Sequence, residues 1–230
     1  MRLSQLGLLA FDPLRDLNLL ARTSGQTFGI VVKADSPWNN LHELMAAARA
    51  KSGRLTYGSA GLAGATHVGM EELLMMANAR MQHLPYKGRA PALADLLGGR
   101  TDVLADSSSW ARDVRQGRLR VLATWGELRI PAFAQAPTLK ELGYDMVVDA
   151  PNGIGAPAGL SPSVEAVLRG AVRAAIQSAE FRQACERIDA PVMYQEAAAY
   201  RRYMLTQYEK EKLLIKKLNL RKQLDKQAGP

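Results

Sequence analysis

Ser59, Ala60, Gly61, Gly64, Thr66 and His67 stand close together in the stretch Leu-Thr-Tyr-Gly-Ser-Ala-Gly-Leu-Ala-Gly-Ala-Thr-His at residues 55–67. Glycines and small side chains let a backbone approach a ligand, and serine and threonine hydroxyls add hydrogen-bond donors. The chemistry such a group supports is capture of an anion by neutral donors, each charge-assisted hydrogen bond contributing about 1.5–3 kcal/mol. Sharper motifs are absent. Gly64 is followed by Ala65 and Thr66, where a P-loop needs Lys then Ser or Thr. There is no Gly-x-Gly-x-x-Gly here, and Tyr57 stands where a nucleophile elbow needs glycine two before the serine. No cofactor is expected.

The elements that must position this group are a strand and a helix. Leu55, Thr56 and Tyr57 favour a strand. Met70, Leu73, Leu74 and Ala77 recur at helical spacing, predicting a helix over 66–77. The turn between them leaves backbone N–H groups unpaired at a helix start, where the dipole is positive and an anion fits.

Elsewhere strands are predicted at 17–21, 28–32, 81–85, 101–105 and 119–124. Helices are predicted from the Asn40/Glu43 capping box to about 51, at 90–97, and from about 110 to 116. This alternation predicts an α/β fold with a mostly parallel sheet and helices on both faces. Ligands of such sheets sit beyond the strands' carboxyl ends, so Tyr86-Lys87-Gly88 and Asp106-Ser107-Ser108-Ser109 share a rim with the turn. Lys87 reads as a solvated turn residue, and Asp106 as a cap for the next helix. Further on, a short helix at 139–142, extended runs at 144–148 and 153–156, and a helix opened by Ser161-Pro162 with Val164, Val167, Leu168 and Ala171 on one face are expected. Then come helices at 179–187 and 196–218 around a strand-like run at 191–194.

Composition narrows the function classes. The net charge of +8 comes from 30 basic residues spread along the chain, and aromatics are 6%, which argues against a nucleic-acid partner. The basic cluster at 210–226 reads as a solvated helix face. The single cysteine, Cys185, excludes an internal disulfide, and His42, His67 and His83 lack ligand spacing, so no metal site is expected. No apolar run reaches the ~20 residues of a membrane span. The N-terminus lacks the roughly 7–15-residue apolar core of an export signal, so the chain as written reads as one that stays in the cytoplasm.

Eight phrases in order resemble the Bug-type substrate-binding receptors of tripartite tricarboxylate transporters. They are Asp12-Pro13-Leu14-Arg15-Asp16, Gly53-Arg54-Leu55-Thr56-Tyr57-Gly58-Ser59-Ala60-Gly61, Thr66-His67, Pro85-Tyr86-Lys87-Gly88, Ala90-Pro91-Ala92-Leu93-Ala94-Asp95-Leu96-Leu97-Gly98-Gly99, Gln116-Gly117-Arg118-Leu119-Arg120-Val121-Leu122-Ala123, Pro137-Thr138 and Gly155-Ala156-Pro157-Ala158-Gly159-Leu160. The resemblance implies a periplasmic-binding-protein-like clamshell of type II. Its two α/β lobes close on a small carboxylate, for delivery to the membrane subunits of the transporter. It implies lobes at 26–126 and at 1–25 plus 127–230, with crossing strands at 28–32 and 153–157. It also implies backbone donors to the ligand from the turn matching Ser59 to Gly64. The candidate ligand contacts are Ser59, Ala60, Gly61, Gly64, Thr66 and His67 from the turn and Tyr86, Asp106 and Ser107 from the rim, with His67 read first as a helix residue hydrogen-bonded for structure. It places the protein in the periplasm. The family's export signal, its first strands and a glycine-rich ligand loop have no counterpart here, so the lobe holding the termini is read as incomplete. Pro151 and Asn152 also stand where the family often has aromatic residues, and 107–112 departs from its usual form.

Three functions follow from these residues. The first is a small-carboxylate receptor without catalysis. The second is a hydrolase using Ser59, His67 and Asp106 as nucleophile, base and orienting acid. The third is a shortened relic or interaction module, whose exposed apolar surface a homodimer would cover. Residues 222–230 are expected to be disordered or a frayed helix end.

Overall fold

The computed structural model describes the backbone of residues 1–228 and the side chains of residues 1–225. In chain order the elements are α1 (Arg2–Gln5), β1 (Leu17–Gln26), β2 (Phe28–Lys33), α2 (Leu41–Ala50), β3 (Thr56–Ser59), α3 (Ala65–Met76), β4 (Gln82–Pro85), α4 (Arg89–Leu97), β5 (Val103–Ser107), α5 (Ala111–Arg115), β6 (Leu119–Thr124), β7 (Ala150–Pro157), α6 (Pro162–Gln177), α7 (Ala179–Arg187), β8 (Val192–Glu196), α8 (Ala197–Lys217) and α9 (Leu220–Ala228). The chain divides into a middle unit, Gln26–Ala150, and a terminal unit, Met1–Gly25 with Pro151–Pro230. Residues 127–150, expected with the terminal unit, instead pack in the middle one. Leu139 and Met146 join its core, and the Val148 N–H donates to the Trp125 carbonyl at 2.9 Å.

The middle unit is a five-stranded sheet in the order β4-β3-β5-β2-β6. β3 is parallel to β4 and β5, and β2 is antiparallel to both β5 and β6. Four strands therefore point one way, and β2, which brings the chain in from the terminal unit, is the exception. Side chains along β2 alternate between two cores. Ile30 and Val32 face α2 and α3 with Leu44, Met45, Met70 and Leu73, while Val31 faces Ala92, Leu96, Trp110 and Phe133. Helices cover both faces, as the alternation of elements requires. Glycine permits two close approaches: a Cβ at Gly69 would lie 2.4 Å from Trp125, and one at Gly29 would lie 2.8 Å from Trp110.

The capping box forms, with the Glu43 N–H donating to Asn40 Oδ1 at 2.9 Å. One expectation, the helix at 139–142, fails for a local reason, while of the two alternatives for the C-terminus the helix end holds as far as residue 228. Residues 139–142 make a single turn, closed by Thr138 and Glu141 bonding each other's backbone and ended by Gly143 at φ 87°, too short to propagate as a helix. Residues 222–228 are helical in α9, which begins at the fully buried Leu220 after Asn219 turns the chain at φ 49°. Residues 229–230 lie outside the described backbone.

The terminal unit is a three-stranded sheet, β7-β1-β8, with the remaining helices. β1 and β8 are antiparallel, with Ala21 opposite Glu196. Ser161 caps α6 as expected, and its apolar face is open at Val164, 47% exposed, and Val167, 71% exposed.

Candidate functional site

The carboxyl ends of β3, β4 and β5 bring the turn after Ser59, Tyr86 and Ser107 to one rim of the middle unit's sheet. β3 runs two residues further than its β-favouring side chains suggest, so Ser59 is its last residue and is fully buried. Beyond it Gly61 adopts φ 150° and Ala63 φ 56°. Gly64 takes the N-cap of α3 in an extended conformation, with no side chain to bond the first-turn N–H groups. Ala60, Gly61 and Gly64 remain partly exposed. A Cβ at Gly58 would meet the Tyr86 ring at 3.1 Å, and this ring backs the turn.

The hydroxyl of Ser59 is engaged from within. It lies 2.7 Å from His83 Nε2 and 3.2 Å from the Gly61 carbonyl. Ser59 therefore shapes the turn through its side chain. His67 is 1% exposed, and its Nδ1 accepts the Ala63 N–H at 3.1 Å. The rings of His67 and His83 stack with centroids 4.0 Å apart, and Tyr57 also stacks on His83 at 4.8 Å. The Tyr57 hydroxyl donates to Glu71 Oε1 at 2.6 Å. Burial, then the neighbouring His67, holds His83 down to about 3. Thr66 is also buried, in the first turn of α3.

At the end of β5, Asp106 caps no helix: Ser107 precedes a single 3₁₀ turn, Ser108–Trp110, without a side-chain bond, and Trp110 stands at the start of α5. The Asp106 carboxylate instead accepts from the Ser109 hydroxyl and the Ser107 N–H and lies 3.6 Å from Arg89. Burial raises its pKa despite these partners. Residues alternate along β5, with Ala105 in the core under α3 and Leu104 in the opposite one, so Asp106 lies on the face away from α3. The hydroxyl of Ser107, on the α3 face, is buried with no hydrogen-bond partner among the described residues. Thr124 Oγ1 and Trp125 Nε1, at the end of β6, are buried and unpartnered among the same residues. Tyr86 donates its hydroxyl to Asp95 at 2.8 Å; burial and then this bond push its pKa up to about 12. Lys87 is exposed.

Ser59, His67 and Asp106 therefore do not assemble as nucleophile, base and orienting acid. The imidazole on Ser59 is that of His83, the serine is out of solvent, and Asp106 is committed on the other face. His83 is the residue that sequence spacing missed. Its signal is the register of the parallel pair, which sets His83 opposite Tyr57 and which no single-strand pattern contains. Among the described residues, no three His, Cys, Asp or Glu side chains are grouped to hold a metal ion.

Residues 5–220 match the family model described as tripartite tricarboxylate transporter family receptor. The chain is 40% identical over 212 residues to the UPF0065 protein in the gbd 5' region of Cupriavidus necator, covering 92% of this chain and 65% of that protein. The chain thus spans just under two thirds of that relative's length. Its structure is similar to that of a TctC solute binding protein from Polaromonas, solved with no ligand, at TM-score 0.81 and 29% identity, covering 94% of this chain and 74% of that one. An R. palustris protein solved with adipate shares the fold at TM-score 0.78 and 24% identity, over 90% of this chain and 70% of that one. The α/β periplasmic-binding-protein fold implied by the sequence phrases is borne out.

Proposed function

The chain belongs to the tripartite tricarboxylate transporter receptor family, and we propose that it takes part in capturing a small carboxylate at the turn between β3 and α3. The observation that carries this reading is a glycine-capped helix start with a buried hydroxyl, that of Ser107, unpartnered among the described residues, on the neighbouring strand that α3 packs against. A carboxylate there would take hydrogen bonds from the backbone around Gly61, Gly64, Ala65 and Thr66, with the positive end of the helix dipole behind them. No titrating side chain is needed, and the role is binding without turnover. Tyr86 and the Ser59–His83 pair would hold the turn's shape. As a family receptor the protein would work in the periplasm and pass its ligand to membrane subunits of a tripartite system. Among the described residues no helix is long and apolar enough to cross a membrane.

Calorimetry with malate, succinate and adipate on the full chain tests the reading. Gly61→Val should abolish binding, because valine is strained at φ 150° and the turn would have to rearrange to hold it. Lys87→Ala should weaken it by at most about 1 kcal/mol, since an exposed charge is screened. If Lys87→Ala proves the more damaging change, binding rests on side-chain charge and the turn is not the anion site.

A further inference from the structure

Two stacked imidazoles tie down the two ends of the turn. His83, on β4, bonds Ser59 where the turn begins, and His67, in the first turn of α3, accepts the Ala63 N–H where it ends. Between these ties Gly61 and Ala63 occupy positive φ, and alanine there is strained unless something holds it. We propose that His67 and His83 are positioning residues for the turn, and that protonating His67 releases it and weakens carboxylate capture. The proposal rests on reading the turn as the anion site.

The two histidines respond differently to a proton. His67 Nδ1 accepts the Ala63 N–H while it keeps its lone pair; protonated, it sets one N–H against another and the tie breaks. Ser59 Oγ can accept from a protonated His83, so that tie survives acid. His67 is therefore the latch. His83, stacked 4.0 Å away, makes a second charge unfavourable, so a proton on one ring is felt by the other. Tyr57 from β3, stacked on His83, and Glu71 from α3, bonded to Tyr57, are titratable groups beside the pair. Burial raises the pKa of Glu71, while its bond to Tyr57 opposes the rise. Asp106 and Arg89 belong to the opposite face of the sheet.

His67→Asn is the informative variant, because its Oδ1 can accept the Ala63 N–H without titrating. Adipate affinity is measured from about pH 8 to about pH 4, the range around the ordinary histidine value. The wild type should lose about tenfold more affinity over this range than His67→Asn, which also corrects for protonation of adipate itself. In ligand-free wild type, the amide resonances of Gly61, Ala63 and Gly64 should shift together with the His67 ring resonances. A His67→Asn profile that parallels the wild type, or turn amides that stay still while the ring titrates, overturns the proposal. If His67→Asn fails to fold, the wild-type amide titration decides. If the wild type binds adipate at no pH, the anion-site reading falls, and the same ligand-free titration still decides whether the histidines latch the turn.

Discussion

The middle unit and the terminal unit are built from the same kinds of element and stabilised in different ways. Both clusters of buried apolar residues lie within Gln26–Ala150, on either face of a five-stranded sheet. In the terminal unit α6 buries Ile176 but leaves Val164 and Val167 open, and Ile188 is 59% exposed. Polar contacts are prominent there instead, such as Arg2 with Glu211 at 2.7 Å and Asn18 with Glu165 at 2.7 Å. Partly exposed pairs of this kind are each worth about 1 kcal/mol or less. Local stability should therefore be uneven, and the turn that carries the proposed site stands on the better-packed unit.

The sharpest way to break this comparison is a pair of truncations to alanine. Trp125 is fully buried, packs on Gly69 of α3 and meets Phe28 at a ring separation of 5.7 Å. Trp125→Ala should cost about 3–5 kcal/mol in denaturant unfolding. Val167→Ala, at a position 71% exposed, should stay within about 0.5 kcal/mol. Similar costs at the two positions would mean that the α6 face is covered in solution, as it would be in the homodimer that the sequence suggests, and sedimentation would reveal the partner.

The sequence makes the middle unit legible because its elements are locally specified. The helical stripe of α3, the Asn40/Glu43 cap and the glycines after Ser59 each act within a few residues, and the structure keeps them. What escapes is set by pairing between strands. The contact of Ser59 with His83, the placing of Asp106 on the far face and the reversal of β2 all follow from register and strand order, which a one-dimensional pattern does not encode. The open face of α6 escapes for a related reason: its apolar period shows that a face exists, but not what covers it.

Acid should also separate the units, because His42, His67 and His83 all lie in the middle one. His83 is lowered from 6.5 to about 3 on folding, so between these values the unfolded chain binds the extra proton. Its contribution is complete above about pH 6.5 and is lost as pH falls. The linkage amounts to about 3 kcal/mol by pH 4, at ~1.4 kcal/mol per unit. His83→Gln should remove most of this acid sensitivity. Hydrogen exchange at pH 5 should show protection falling in β3 and β4 before β1 and β8; a loss that begins in the terminal unit would place the acid-labile group elsewhere.

The smallest effect is expected at the C-terminus, where the terminal unit's scheme of few buried anchors can be tested directly. α9 is fixed at its start, with Leu220 fully buried and Gln223 Nε2 donating to the Leu218 carbonyl at 2.8 Å, while Lys222 is exposed. Deleting residues 222–230 removes the Gln223 bond and leaves Leu220 in place. The melting temperature should fall by less than about 4 °C, equivalent to ~1 kcal/mol in a chain of this size. Deleting from Asn219 onward also removes Leu220, and burying a leucine is worth about 1.5–3 kcal/mol, so the second truncation should cost clearly more than the first. If both cost the same and the loss is large, the later turns of α9 pack as well, and the terminal unit depends on more of its C-terminal helix than the buried Leu220.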